Sequence, residues 1–167
     1  SEHLIKEAYK SGNLKELILL ENTEYKLNVE TNYVNEKVMK YITELDTIPN
    51  MIGICNQLKE KELGNKILML DGIQDPGNLG TIIRSAVAFH IDTIILGHNT
   101  VDLYNIKVLR ASEGMIFNIN IMEKKLTEFI PELKKMQYKI VGTKVTDGKE
   151  VVIGGILTDK KIKYTKN

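Results

Sequence analysis

Apolar and polar positions follow two different periods along the chain, and the changes of period predict its elements. Near the start, apolar residues at helical spacing predict a helix over residues 3–11, and the run LKELILLE from Leu14 predicts a strand. The segment VNEKVMKYITEL from Val34 returns to helical spacing, and MIGIC at 51–55 is typical of a short strand. These elements predict a small α/β unit.

A charged segment without apolar periodicity follows this unit. QLKEKELGNK is nearly free of apolar residues, which is typical of a solvated linker. We therefore predict a first domain over residues 1–57, a linker over 58–66 and a second domain over 67–167.

Strand and helix patterns alternate in the second domain. KILMLDGI predicts a buried strand, and NLGTIIRSAVAFH predicts a helix whose apolar stripe contains Leu79, Ile82, Ile83, Ala86 and Val87. DTIILG and INIM predict two further strands, KVLRASEGMIF an irregular polar stretch, KLTEFIPELKKMQ a helix and KIVGTKV a last strand. This alternation predicts the α/β class, with a parallel sheet and crossover helices.

Composition narrows the classes of function. The 167 residues are 43% hydrophobic and 27% charged, and no run approaches the roughly 18 apolar residues of a membrane span. The first residues also lack the apolar stretch of a secretory signal, so we expect a cytoplasmic protein without membrane contact. A formal net charge of +1 means that nucleic-acid binding would need a local basic patch.

Cysteine and histidine positions argue against redox and metal chemistry. Cys55 lies in an apolar run, where we expect a small buried residue, and a single cysteine excludes a disulfide within the chain. His3, His90 and His98 show no metal-ligand spacing. We therefore expect no metal site.

The junction between the first strand and first helix of the second domain concentrates turn residues. The stretch from Asp75 to Asn78 favours a turn into a helix N-terminus, with Asn78 as a candidate cap. Ligands of parallel sheets bind beyond the carboxyl ends of the strands, where residues 71–80 are predicted to lie. On spacing alone, a purely structural explanation fits the pattern as well as a ligand site does. In that explanation the glycines permit the turn and close packing, and Arg84 is a solvated helix residue. GNLG also matches the GxxG of KH modules, which is weak evidence.

The longer string LDGIQDPGNLGTIIRSAVAFHIDTIILG resembles the first motif of the SpoU family of RNA ribose methyltransferases, in the SPOUT superfamily. The resemblance includes Asn78, Gly80 and Arg84, and KVLRASEGMIFNINI resembles the family's later segment with Arg-Ala-Ser and a glycine. Residues 1–55 resemble the small substrate-binding domain that precedes the methyltransferase domain in many members. The resemblance thus covers most of the chain and implies a SPOUT-like α/β knot domain.

The resemblance also implies a reaction and its residues. Members transfer a methyl group from S-adenosylmethionine to a ribose 2'-hydroxyl of rRNA or tRNA, and we expect rRNA rather than tRNA here. The implied residues are catalytic Arg84 and Asn78, substrate RNA-binding Gly80, Arg110 and Ser112, and cofactor-binding Thr143. Because a guanidinium stays protonated, Arg84 is expected to orient substrate and stabilise charge, not to act as a literal base. For Arg110 and Ser112 an ordinary surface-loop role remains the alternative.

The chain departs from the family pattern near its end. Members continue into a glycine-rich GNEG-type loop and a serine-asparagine segment, which form much of the cofactor pocket and the knot, and we find neither here. Three explanations fit this departure: the chain is a fragment, residues were left out of the sequence, or the protein has lost its cofactor half. We expect a homodimer when the protein is complete, and a catalytically inactive RNA-binding relative is the alternative to an active enzyme.

Overall fold

A computed structural model describes residues 1–43 and 45–142 and the backbone of Ile156 and Leu157. The chain divides into two compact units, Ser1–Leu58 and Lys59–Asn167. None of the helices in the described residues has the length and apolar character that crossing a membrane requires.

The first unit is a three-stranded sheet with two helices. Its elements are α1 Glu2–Lys10, β1 Leu14–Leu20, β2 Glu30–Val34, α2 Glu36–Ile42 and β3 Met51–Cys55. The strand order is β2-β1-β3, in which β1 is parallel to β2 and antiparallel to β3. Leu17 and Leu19 of β1 and Met39 of α2 have no exposed surface and form part of the core. Burying a side chain of this size contributes about 1.5–3 kcal/mol.

Strand β2 was not predicted. Its sequence, ETNYV, has mostly polar residues and shows no apolar alternation. It is nevertheless a strand because its backbone pairs with β1 from Glu30 to Val34. As an edge strand with an open side, it can carry polar residues that an inner strand would exclude.

The second unit contains a four-stranded sheet. Its elements are β4 Ile67–Leu70, α3 Pro76–Ala88, β5 Thr93–Leu96, α4 Ile106–Ala111, a 3-10 helix Met115–Asn118, β6 Asn120–Glu123, α5 Leu126–Lys135 and β7 Ile156–Leu157. The order is β6-β5-β4-β7, with β4, β5 and β6 parallel and β7 antiparallel to β4. The predicted α/β fold with a parallel sheet and crossover helices is confirmed.

Two local predictions in this unit were wrong. The stretch KVLRASEGMIF is not irregular, because it forms α4 and the start of the 3-10 helix. The Asn105 side chain caps α4 by accepting a hydrogen bond from the Lys107 backbone N–H at 2.9 Å. The predicted strand KIVGTKV is not formed over Lys139–Gly142, and its remaining residues lie outside the described part.

The expected buried position of Cys55 was also wrong, because this last residue of β3 is exposed. Neighbouring protein atoms still partly desolvate the sulfur and raise the pKa of the Cys55 thiol above its usual value. A raised pKa keeps the group as the thiol, which is a poor nucleophile.

The segment expected to be a solvated linker makes specific hydrogen bonds within the second unit. The buried Asn120 side chain accepts from the Lys61 backbone N–H at 2.9 Å and donates to the Lys61 and Glu62 carbonyls at 3.2 and 3.3 Å. The Tyr138 hydroxyl donates to the Gly64 carbonyl at 3.1 Å. These bonds anchor the charged segment to the start of β6 and to the chain after α5.

Helices α3 and α4 pack closely at one glycine. The apolar stripe of α3 is confirmed, with Leu79 and Ile83 fully buried. A Cβ on Gly80 would overlap the Ala111 Cβ and would lie 2.8 Å from the Ala111 carbonyl carbon and from the Ser112 backbone nitrogen. Only a glycine permits this approach, because the neighbouring atoms belong to the backbone and cannot rotate away.

We predict that Asn120→Ala lowers the free energy of unfolding of the second unit by about 2–3 kcal/mol. The substitution leaves the Lys61 N–H and two carbonyl groups without their side-chain partner and removes buried volume. Chemical denaturation of the complete protein measures the change. Thr127→Ala, at an exposed position on α5, is the control and should change the value by less than about 0.5 kcal/mol. Equal stability of the two variants would contradict the anchoring role.

We predict that Gly80→Ala destabilises the second unit by about 1–3 kcal/mol, because α3 and α4 must separate to admit the methyl group. Gly77→Ala in the same helix is the matched control, because its added Cβ meets only the Asp75 carboxylate oxygen, at 3.2 Å. Thermal melts of both variants make the comparison. A Gly80→Ala protein as stable as Gly77→Ala would show that the helices do not need this close contact.

Candidate functional site

Helix α3 begins with a side-chain cap. Asp75 is the N-cap, and its carboxylate accepts a hydrogen bond from the Asn78 backbone N–H at 2.7 Å. Pro76 occupies the first turn, where its lack of an N–H costs nothing. The candidate cap Asn78 was therefore wrong, and this residue lies exposed in the first turn. The Asp75 carboxylate also places negative charge where a ligand anion would otherwise bind the helix N-terminus.

Arg84 projects from the exposed face of the same helix. Its Nη1 atom lies 3.4 Å from Glu113 Oε1, and the two side chains are 50% and 56% exposed. A pair in this much solvent contributes at most about 1 kcal/mol. The pair therefore restrains the guanidinium weakly and leaves it accessible to an anionic ligand.

Glu113 reaches Arg84 because the chain turns sharply after α4. Glu113 has φ +48° and is followed by Gly114 at φ +86°, so two successive residues are left-handed. This conformation is uncommon for a residue with a Cβ, and it often occurs at functional sites. The Glu113 N–H donates to the Arg110 carbonyl at 3.2 Å, which holds the turn against the helix end.

The remaining predicted site residues have different environments. Ser112 is fully buried, and its hydroxyl donates to the Leu109 carbonyl at 2.9 Å. Gly80 packs against the backbone of this segment, and Arg110 is exposed. Thr143 lies outside the described residues. Folding thus brings Gly80 and Arg84 next to the end of α4, while the roles of these residues toward RNA and cofactor stay predictions.

The carboxyl ends of the parallel strands meet at one edge of the sheet. The Gly97 N–H donates to the Leu70 carbonyl at 2.7 Å, and the Val101 N–H donates to the Ile73 carbonyl at 2.8 Å, which ties together the loops after β4 and β5. Residues 96–102 and Glu123 line a cavity of about 390 Å³ there. A volume of this size is within the range of small-molecule sites.

Polar groups dominate the lining of this cavity. Asp102 and Glu123 contribute carboxylates, and the Thr100 Oγ1 atom is buried with no hydrogen-bond partner among the described residues. Such a lining favours a ligand with positive charge or hydrogen-bond donors. Nowhere in the described part of the chain do three histidine, cysteine or acidic side chains come together as metal ligands would.

Sequence reasoning missed two residues of this site. An aspartate directly before a proline at the start of an apolar-periodic run is a recognised helix-start signal, and it could have identified Asp75 as the cap. Nothing in the sequence near Glu113 indicates an arginine 29 positions earlier as its partner. That pairing depends on the crossing of α3 and α4.

Comparisons with known proteins agree with this architecture. The model of the SpoU rRNA Methylase family matches residues 65–164. The Bacillus subtilis 23S rRNA (guanosine(2553)-2'-O)-methyltransferase RlmP is 36% identical over 153 residues, which cover 88% of this chain and 62% of RlmP. The mitochondrial rRNA methyltransferase 3B of Danio rerio is 33% identical over 105 residues, which cover 56% of this chain and 24% of that protein.

A solved structure is similar as well. The AdoMet-bound rRNA methyltransferase from Sinorhizobium meliloti has a TM-score of 0.64 and 28% identity, over 83% of this chain and 57% of that chain. The chain thus spans less than two thirds of the length of these relatives. The match to the family model includes β4, α3, the carboxyl edge of the parallel sheet and the end of α4, and it covers more than half of the chain. The chain belongs to the SpoU rRNA Methylase family.

Proposed function

We propose that the complete protein transfers a methyl group from S-adenosylmethionine to a ribose 2'-hydroxyl of RNA, with rRNA rather than tRNA as substrate. Membership of the SpoU family and the printed activity of RlmP support this reaction. The single observation that carries it is Arg84, which projects a half-exposed guanidinium from the helix of the family's first motif.

Arg84 suits the charge that develops during such a reaction. A 2'-hydroxyl becomes a nucleophile as its proton passes to solvent water, so negative charge grows on the oxygen beside a phosphodiester. The Arg84 guanidinium stays protonated and can donate to both groups, which holds the ribose and stabilises the developing oxyanion. Glu113 competes with RNA for the same donors, because its carboxylate lies 3.4 Å from Nη1.

The other predicted residues support Arg84 in this proposal. Asn78 presents an exposed carboxamide on the same helix, and Arg110 presents a second exposed cation beside the Glu113 turn. Gly80 and Ser112 act through packing, since Gly80 sets the helix crossing and the Ser112 hydroxyl donates to its own helix. We therefore assign these two residues to the shape of the RNA site.

The described residues also fit the charge of the cofactor. S-adenosylmethionine, when bound, supplies an electrophilic methyl group on a positively charged sulfur. In the proposal it binds at the carboxyl edge of the sheet, where Asp102 and Glu123 would hold its cationic groups. The predicted cofactor residue Thr143 lies outside the described residues, so its part rests on the family resemblance.

Substrate recognition belongs to the first unit in this proposal. We infer that residues 1–57 form a small RNA substrate-binding domain, residues 58–66 connect it, and residues 67–167 belong to the methyltransferase domain. A homodimer, implied by the family resemblance, and a cytoplasmic site of action, expected from the composition, complete the proposal.

Methyl transfer to RNA tests the proposed function directly. The complete protein is incubated with labelled S-adenosylmethionine and with rRNA or tRNA, and the RNA is digested to nucleosides. A labelled 2'-O-methyl nucleoside from rRNA is the expected product. RNA binding without methyl transfer, together with no cofactor binding by calorimetry, would instead identify an inactive RNA-binding relative.

We predict that Arg84→Ala lowers the methyl-transfer rate of the complete protein by roughly 100-fold or more, because the developing oxyanion loses its cationic donor. The fold should remain intact, since Arg84 is half exposed and lies off the apolar stripe. Lys135→Ala removes an exposed cation from α5 and serves as the control with unchanged activity. Near-normal turnover by folded Arg84→Ala protein would remove Arg84 from the mechanism.

We predict that Glu113→Gln strengthens binding of RNA roughly two- to fivefold, because it frees the Arg84 guanidinium from a competing carboxylate worth at most about 1 kcal/mol. Fluorescence anisotropy of labelled RNA measures the change at fixed ionic strength. Glu128→Gln removes a similarly exposed carboxylate on α5 and controls for net charge. Equal gains in both variants would show a general charge effect and no competition at Arg84.

A further inference from the structure

The first unit contains a groove along the outer edge of its sheet. The groove, of about 730 Å³, is lined by residues 24–27, Val29, Thr31 and Tyr33, and we call it the tyrosine groove. It comprises the loop before β2 and one face of β2. Two aromatic side chains, Tyr25 and Tyr33, line one groove in a chain whose aromatic content is only 6%.

Tyr33 presents its ring to solvent. It is 60% exposed, although its register partner on β1, Leu19, is completely buried. Since side chains alternate along a strand, Thr31 and Tyr33 share one face of β2, and Asn32 points to the other face. The ring therefore lies at the boundary between the core and the groove, where a flat ligand could stack on it.

Tyr25 adds a buried polar atom. Its hydroxyl oxygen is shielded from solvent and has no hydrogen-bond partner among the described residues. A buried hydroxyl without a partner is destabilising, and such groups are rare enough in folded proteins to need an explanation. Ligand binding that turns the Tyr25 side chain toward the groove would give this oxygen a partner and remove that cost.

Charge in and around the groove favours a nucleotide over a simple anion. Lys26 and Glu24 both line it, so one cation for a phosphate lies beside one acceptor for the amino group of a base. The nearby Glu16 carboxylate is occupied, because it accepts a hydrogen bond at 2.8 Å from the Asn32 amide on the opposite face of β2. The Glu16 carboxylate is thus held on the face of β2 that points away from the groove.

We propose that the tyrosine groove binds one unpaired nucleotide of the RNA substrate, with the base stacked on Tyr33, its edge hydrogen-bonded to the Tyr25 hydroxyl and its phosphate near Lys26. This inference rests on the proposed function and locates where the first unit contacts RNA. A base stacked on an aromatic ring is available only in single-stranded or looped RNA. The groove therefore selects an unpaired region of the RNA substrate.

Base stacking can be measured with the complete protein and a short single-stranded RNA that carries 2-aminopurine. Binding should quench the 2-aminopurine fluorescence as the base stacks. Tyr33→Ala should abolish the quenching and weaken binding roughly tenfold, the loss expected for one base–aromatic contact. Tyr33→Phe keeps the ring and should retain both signals. Tyr41→Ala, 90% exposed on α2 and outside the groove, is the matched control and should behave as the unchanged protein.

The role of the Tyr25 hydroxyl can be tested separately from that of the Tyr33 ring. Tyr25→Phe removes the unpartnered oxygen, so it should raise the Tm of the first unit, yet it should weaken RNA binding roughly fivefold by removing one hydrogen bond. A purely structural role would move stability and RNA affinity in the same direction. A higher Tm with unchanged affinity would overturn the part assigned to Tyr25.

The outcomes separate this inference from the proposed function. If Tyr33→Ala binds and quenches like the unchanged protein, the groove does not take a base, whether or not the protein methylates RNA. If a base-paired duplex of the same sequence competes equally well, the requirement for an unpaired nucleotide is wrong. Absence of any methylated product, with Tyr33-dependent quenching intact, would contradict the methyltransferase activity and leave the groove assignment standing.

Discussion

The close approach of α3 and α4 at Gly80 is the constraint on which the candidate site depends. A Cβ at this position would lie 2.8 Å from backbone atoms of Ala111 and Ser112, so the two helices can cross at this distance only where a side chain is absent. The crossing places Arg84, one turn further along α3, beside Glu113 at the end of α4. Without it, Arg84 would be one exposed cation among many on a helix surface.

The same crossing explains why the weakly held charge of Arg84 lies above a rigid part of the backbone. Ser112 is buried and its hydroxyl is hydrogen-bonded, while the next residue, Glu113, adopts a left-handed conformation that costs of order 1 kcal/mol. The turn delivers a carboxylate to Arg84, but solvent screens the pair. Under the proposed function, an RNA phosphate would therefore replace Glu113 at little cost, and the backbone beneath would not need to move.

The electrostatics of the whole chain agree with this local picture. A formal net charge of +1 provides little general attraction to RNA, so the proposed recognition would depend on a few well-placed groups. The second unit offers the Arg84 guanidinium, and the first unit offers the exposed ring of Tyr33 and the shielded hydroxyl of Tyr25. Stacking needs no net charge, which makes aromatic contacts a suitable complement to a small number of cations.

The sequence by itself determined the fold class, because burial imposes a period on each element: the apolar stripe of α3 and the apolar runs of β4 and β5 face the core as their spacing predicts. It also indicated Arg84 and Asn78, through the motif that the family shares. Tertiary structure alone decided where β2 pairs, since its polar sequence becomes a strand only beside β1. It likewise decided that Gly80 sets a helix crossing and that Glu113 meets Arg84, because contacts between residues far apart in the chain depend on how whole elements pack and leave no periodic signal in either segment.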